Sequence, residues 1–314
     1  MKFILELDGG GIKGVIPAEI CAEIEGFIHQ PIYKIFDLIS GTSTGSILGS
    51  QLAAGVSAEA CRNLYVVRGP SVFKARPWYN PFNWLKEKYD RNLVLKEMSV
   101  SFVKNSPLRI PDPFMHQLFT KFMCTATSIV DEQTHYFKSW EEKDGKLPVL
   151  TAVARSFAAA YYFGAINDSV NKQVWADGGE GLDNCTIRQC LLEGLMQKWL
   201  DEGIYILSLG CGYIKPGRPY EEAAKMGWIK ESMFYVNLAR RQSVTDQIFE
   251  VEEVKKAIPI HGNIVLDRLD IEIPERMDKL DGVEYIRDFS GMVLMQLSGK
   301  IADVVAKIKG LKGW

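Results

Sequence analysis

Within its first sixty residues the chain twice runs from a short apolar stretch through a glycine-rich turn into a helical pattern, and this repetition constrains the fold more than any other feature. Lys2 to Leu7 reads as a strand and Gly9 to Gly14 as a tight loop. Ile16, Ile20, Ile24 and Ile28 then recur every four residues, laying one apolar face along a helix whose first turn tolerates Pro17. Phe36 to Ser40 is a second strand, Gly41 to Gly45 a sharp turn, and Ser46 to Ala54 a small-residue helix that Gly55 ends. Strand, turn and helix in series build a parallel sheet with helices on both faces.

Further along, Lys121 to Ile129 and Gln133 to Trp140 read as strands around an Asp-Glu turn, and Leu150 to Phe163 is Ala-rich and helical. Gln173 to Ala176 is a brief strand ending at Asp177, Thr186 to Leu200 an amphipathic helix, and Ile204 to Leu209 an apolar strand closed by Gly210 and Gly212. Helix dominates from Glu221 to Lys256, with a strand near Ile264 to Ile273 and a last helix from Val283 to about Lys307. No repeat or linker long enough to divide the chain is visible, so residues 1–314 are expected to form one α/β domain with a largely parallel sheet.

Charge narrows the partners. With 37 Lys+Arg against 39 Asp+Glu the net charge is −2, which leaves no basic footprint for nucleic acid. Glu6 and Asp8 interrupt the apolar N-terminus before it reaches signal-peptide length, and polar residues and glycines are scattered through the stretch from Leu38 to Ala58. The expectation is a cytoplasmic protein with no spanning helix, leaving peripheral membrane contact open. Six widely spaced cysteines without a CxxC pair read as reduced core thiols, and four histidines without metal spacing give a metal centre little to build on.

Chemistry concentrates in three places. In Asp8-Gly9-Gly10-Gly11-Ile12-Lys13-Gly14, unobstructed N–H groups near a helix N-terminus favour negative charge, either a bound phosphate or an oxyanion of a transition state. Gly9, Gly11 and Gly14 also satisfy GxGxxG, but a dinucleotide site needs an acid ending the second strand, and Asp37 precedes most of that apolar run. In Gly41-Thr42-Ser43-Thr44-Gly45 a GxSxG elbow pushes the Ser43 hydroxyl clear of the backbone, as a nucleophile requires; the alternative is a plain Gly/Ser turn. A serine needs a base. His261 and His135 are the candidates for a triad, and Asp177, followed by Gly178 and Gly179, offers a carboxylate instead, although on residue types alone an Asp-Gly turn is the commoner reading.

Three motifs in order, DGGGIKG at 8–14, GTSTG at 41–45 and DGG at 177–179, resemble the patatin-like phospholipase family. Similarity extends to Ala154-Arg155-Ser156 through Ala160 with Tyr162 and Phe163, and to SLGCG at 208–212, so that it covers about the first 215 residues. The resemblance implies a three-layer α/β/α fold and a lipid acyl hydrolase, of phospholipase A or lysophospholipase type, working without metal or cofactor. It makes Ser43 the nucleophile and Asp177 its base, gives the oxyanion hole to the loop of Gly9, Gly10, Gly11, Lys13 and Gly14, and makes membrane phospholipid the substrate. Where the family often has Asn-Asn-Pro after DGG, this chain has Asp183, Asn184 and Cys185. Aromatics from Phe73 to Trp84 suit an acyl entrance, insertion into a lipid interface or a packed lid, and Arg240, Arg241, Lys255 and Lys256 an anionic head group, a regulatory nucleotide or a solvated helix face. Two other functions stay open: a phospholipase effector of bacterial antiphage defence switched on by a small cyclic nucleotide, and a nucleotide- or lipid-binding module without hydrolysis.

Overall fold

The computed structural model describes residues 1–74, 87–181, 183–217, 220–225, 228–257 and 264–314. Eight strands form one sheet: β1 (Lys2–Leu7), β2 (Leu38–Gly41), β3 (Lys121–Ser128), β4 (Gln133–Lys138), β5 (Ile166–Asp168), β6 (Gln173–Asp177), β7 (Ile204–Leu209) and β8 (Ile264–Leu269). Their order is β5-β6-β3-β2-β1-β7-β8, with β4 also paired to β3. From β3 to β8 every neighbour is parallel, while β4, β5 and β6 join antiparallel. The central strands are apolar on both faces because helices cover both, so β1 and β7 read as near-continuous hydrophobic runs.

The helices that matter for the site are α1 (Val15–Ile28), α2 (Thr44–Ala53), α3 (Arg91–Asn105), α4 (Val149–Ser156), α5 (Ile187–Met196), α6 (Trp228–Ala257) and α7 (Ile286–Lys312). The fourfold isoleucine pattern of α1 is buried, as its periodicity predicts. Phe289, Val293, Leu297, Ile301, Val304 and Ile308 of α7 form a stripe at helical spacing that packs against α1. Each such side chain, fully buried, contributes up to about 1.5–3 kcal/mol. Among the described residues, 283–312 is the stretch of helix long and apolar enough to cross a membrane; the stripe facing α1 is buried, while Leu294 and Met295 are exposed. The segment from Leu38 to Ala58 is instead divided between β2, the elbow and α2.

Strand geometry sets the site. β4 pairs with β3 along Met123 to Ser128 and fills one edge, so β2 and β6 must share the other. β2 runs parallel to β3 and stops at Gly41 opposite Cys124; β6 runs antiparallel and stops at Asp177 opposite Ala126. Two strand ends therefore meet head-on along one edge, two positions apart, with Ser43 just past one and Asp177 at the other. A wholly parallel sheet would bring no such meeting.

Several boundaries differ from the sequence expectation. α4 ends at Ser156 rather than running to Phe163, because residues 157–164 turn back and their carbonyls bind elsewhere; Ala158 O accepts the Asp177 N–H at 3.2 Å. α2 begins at Thr44, so no loop separates the elbow from the helix. α3 and β5 were not expected. All six cysteines are free and buried.

Candidate active site

Ser43 has φ 54° and ψ −119°, a left-handed conformation unusual for a non-glycine residue and costing on the order of 1–3 kcal/mol. Its neighbours make it attainable. A Cβ on Gly41 would lie 2.3 Å from Gly45 O, and one on Gly45 would lie 2.2 Å from Leu7 O, so only glycine lets strand and helix approach this closely. The elbow is also tied down: the Ser43 N–H donates to Ser156 Oγ at 3.0 Å, and Thr42 Oγ1 donates to Asp183 O at 2.8 Å.

The strained turn aims the hydroxyl at the end of β6. Ser43 Oγ donates to Asp177 Oδ2 at 2.6 Å, and Asp177 Oδ1 accepts from the Gly179 N–H at 2.7 Å. Asp177 is 5% exposed, Gly178 and Gly179 are buried, and a Cβ on Gly178 would come within 2.0 Å of Thr125 Oγ1. The Gly179 N–H thus helps orient the carboxylate, whose other oxygen faces the serine. His135 takes no part; it forms a pair with Asp131 at 2.9 Å beside the β3–β4 turn. His261 lies outside the described residues.

The glycine loop closes a third side. A Cβ on Gly9 would lie 3.2 Å from Ser43 Cβ, which measures how near the loop comes. The Gly9 N–H donates to Asn184 O at 3.1 Å and the Lys13 N–H to Gly10 O at 3.3 Å, so neither is an available oxyanion donor. Lys13 Nζ is turned away from Ser43 into an ion pair with Asp278. Gly14 serves packing, since a Cβ there would meet Thr44 Oγ1 at 2.3 Å. Among the described residues the N–H groups of Gly10 and Gly11 have no acceptor, which narrows the five loop positions to two donors. Gly11 has φ 61° and its backbone abuts Leu280 O, so glycine is required there.

An apolar cleft is lined at one end by Ser43, Gly11 and Ile12. Ile47, Leu64, Val72, Phe73, Phe157 and Phe163 form much of its wall, and the charged groups in it, Arg68 and Glu97, pair at 3.4 Å. Phe73 packs edge-on against Tyr89 and Phe163. Trp78, Tyr79, Phe82 and Trp84 lie outside the described residues, as do the side chains of Arg240 and Arg241. Lys255 and Lys256 pair with Glu252 and Glu253 on their own helix, the bland reading of those charges.

A dinucleotide turn does not fit. Asp37 stands at the N-terminal end of β2, where its Oδ2 accepts the Phe3 N–H at 2.8 Å, at the opposite edge of the sheet from the glycine loop. Glu6, Asp8 and Cys185 form a buried group with metal-ligand spacing. Its charge is already met, however: Arg268 binds Asp8 at 2.6 Å, while Ser208 Oγ and the Thr186 N–H donate to Glu6. Burial, then repulsion from Asp8, pushes Glu6 up to about 8, and burial also raises Asp270.

Three residues of this assembly are given no role by the motifs. Ser156 lies within the Ala154–Ala160 similarity and Asn184 follows DGG; Asn184 Nδ2 donates to Gly9 O at 3.2 Å, so the segment after DGG clamps the glycine loop through both side chain and backbone. Arg268 sits in an unremarkable strand far from any motif.

An α/β sheet with a serine on a strained elbow, a carboxylate against its hydroxyl and a glycine loop beside both defines a serine–carboxylate protein of the three-layer kind. The chain belongs to the patatin-like phospholipase family, whose model, described as Patatin-like phospholipase, matches residues 5–191. It is similar to a cGAMP-activated phospholipase of Pseudomonas aeruginosa, 31% identical over 183 residues that cover 56% of this chain and 52% of that protein. A cGAMP-activated phospholipase of Escherichia coli is 28% identical over 235 residues, covering 66% and 61% respectively. Phospholipase A I of Arabidopsis thaliana is 40% identical over 101 residues, 32% of this chain and 8% of that protein. The first of these matches thus spans about half of its relative's length.

Proposed function

We propose that this chain is a serine lipid acyl hydrolase that cleaves fatty acyl esters of membrane phospholipid. The observation that carries the reading is the 2.6 Å hydrogen bond from Ser43 Oγ to Asp177 Oδ2 at the mouth of an apolar cleft. Asp177 accepts the serine proton as Oγ attacks the ester carbonyl, the N–H groups of Gly10 and Gly11 receive the developing oxyanion, and the cleft holds the acyl chain. Collapse of the tetrahedral intermediate releases the lysolipid alcohol, and water then resolves the acyl-enzyme with Asp177 again as base. The strained Ser43 backbone supports this reading, since strain concentrates where a side chain must be held in place. We infer further that residues 1–314 work as one domain, because β8 continues the sheet that carries the motifs, and that the protein acts in the cytoplasm, peripherally at a membrane.

A second feature follows from the relatives. Two carry cyclic-dinucleotide activation in their names, which favours a small nucleotide as activator of this chain as well. Native membranes incubated with wild type and Ser43→Ala, each with and without a panel of cyclic di- and trinucleotides, test both parts by lipid mass spectrometry. Fatty acid release by wild type alone is expected, enhanced by one nucleotide. Release equal in the serine variant refutes the hydrolase; wild-type release unaffected by every nucleotide refutes the activator.

A further inference from the structure

The glycine loop is braced by a part of the chain beyond the family-matched residues. Cross-strand register sets Glu6, Ser208 and Arg268 in one row over β1, β7 and β8, on one face and near the strand ends. Asp8 lies two residues beyond Glu6 and Asp270 two beyond Arg268, so the guanidinium reaches diagonally between them. Arg268 Nη2 donates to Asp8 Oδ2 at 2.6 Å and Nη1 to Asp8 Oδ1 at 3.4 Å, a forked contact. The same guanidinium binds Ser208 Oγ at 2.6 Å and Asp270 Oδ2 at 3.2 Å. Asp8 immediately precedes Gly9, and both its carboxylate and its carbonyl, which accepts from Cys211 Sγ, are engaged. Asp278 and Leu280, from the segment after β8, hold the other end of the loop through Lys13 and the Ile12 N–H.

We propose that Arg268 is a positioning residue for ester cleavage: it fixes Asp8, and through it the Gly10 and Gly11 N–H groups, and it neutralises the two carboxylates that stand behind them. This rests on the hydrolase reading. The chemistry explains why a cation is needed at this place. Negative charge grows on the substrate oxygen in front of the loop, and unneutralised Asp8 and Asp270 behind it would oppose that growth in a site of low dielectric. Glu6, facing the same cluster, is held protonated near neutrality by burial, so Arg268 has two carboxylates to balance. Arginine suits the place better than lysine because a planar fork can satisfy Asp8 and still bond Ser208 and Asp270.

The test uses the full chain and a soluble medium-chain ester, with wild type, Ser43→Ala, Arg268→Gln and Arg268→Lys compared for kcat, KM, melting temperature and rate of inactivation by a fluorophosphonate. Arg268→Gln is expected to lower kcat about tenfold or more, with KM within about twofold, because misplaced donors act in the transition state and not in ground-state binding. Phosphonate inactivation should slow in parallel, and Arg268→Lys should recover part of both. Unchanged kcat per folded molecule, or a loss confined to KM or to melting temperature, overturns the proposal. If Arg268→Gln does not fold, the decision passes to Arg268→Lys, for which an unchanged kcat is likewise contrary. Wild type that neither turns over ester nor is labelled at Ser43 instead refutes the hydrolase reading, a different outcome from active wild type with an equally active Arg268 variant.

Discussion

Replacing Ser156 by alanine removes one atom, the oxygen that accepts the Ser43 N–H at 3.0 Å, from a residue with no solvent exposure. The backbone of α4 need not move. A buried donor left without a partner costs about 1–3 kcal/mol, and here it belongs to a residue already strained at φ 54°. Two responses are open. If the elbow stays in place, the whole cost falls on stability and turnover is kept. If the elbow relaxes toward ordinary backbone angles, stability recovers, but Ser43 Oγ leaves its position against Asp177, and each ~1.4 kcal/mol of lost transition-state stabilisation is tenfold in rate. The prediction is therefore a sum: loss of unfolding free energy plus RT times the logarithm of the lost kcat should come to about 1–3 kcal/mol. Denaturant unfolding and ester kinetics of Ser156→Ala, each against wild type, supply the two parts. A sum below about 0.5 kcal/mol, the range of an inconsequential surface change, would refute the claim that Ser156 holds the elbow.

Other consequences concern packing, charge and selectivity. Gly45→Ala would press a methyl carbon to 2.2 Å from Leu7 O and is expected to abolish soluble folded protein, read by expression and circular dichroism. Glu6 has its folded pKa raised from 4.5 to about 8, so its contribution to stability is fully present below the lower value and is lost as pH rises through the upper one. Glu6→Gln should accordingly gain on wild type between those two pH values and hold a constant difference above them; urea midpoints that keep a fixed offset throughout would contradict this. Ile47→Phe narrows the cleft beside Ser43 and should lower kcat/KM for long acyl chains while sparing short ones, measured over an ester series.

What the sequence made legible, and what it did not, divides by the range of the interactions. β1, β7 and α1 are encoded locally by apolar runs and a fourfold isoleucine repeat, and the structure places them as read. Ser43 was legible because its elbow, glycines included, is a local device. Asp177 was offered by its place at a strand end before two glycines and was set apart from an Asp-Gly turn as the third of three ordered motifs; its meeting with Ser43 depends on β6 entering antiparallel beside β3, which neither residue signals. Arg268 and Asn184 act through partners 260 and 175 residues away, and a strand arginine or a loop asparagine carries no local mark of that. The end of α4 was misplaced because its Ala-rich continuation favours helix by propensity, whereas Phe157 and Phe163 are drawn into the cleft wall. α3, by contrast, was missed although Val94, Met98 and Phe102 repeat every four residues, a local signal, and are buried.

A double-mutant cycle bears most directly on the central claim that serine and carboxylate act as a unit. Ester turnover is measured for wild type, Ser43→Ala, Asp177→Asn and the double variant, each normalised to correctly folded protein. Groups that act together are strongly non-additive, so each single change should cost several orders of magnitude and the double change little more than Ser43→Ala alone. Losses that multiply, or an Asp177→Asn enzyme near wild-type turnover, would mean that the short contact between them is not the catalytic one.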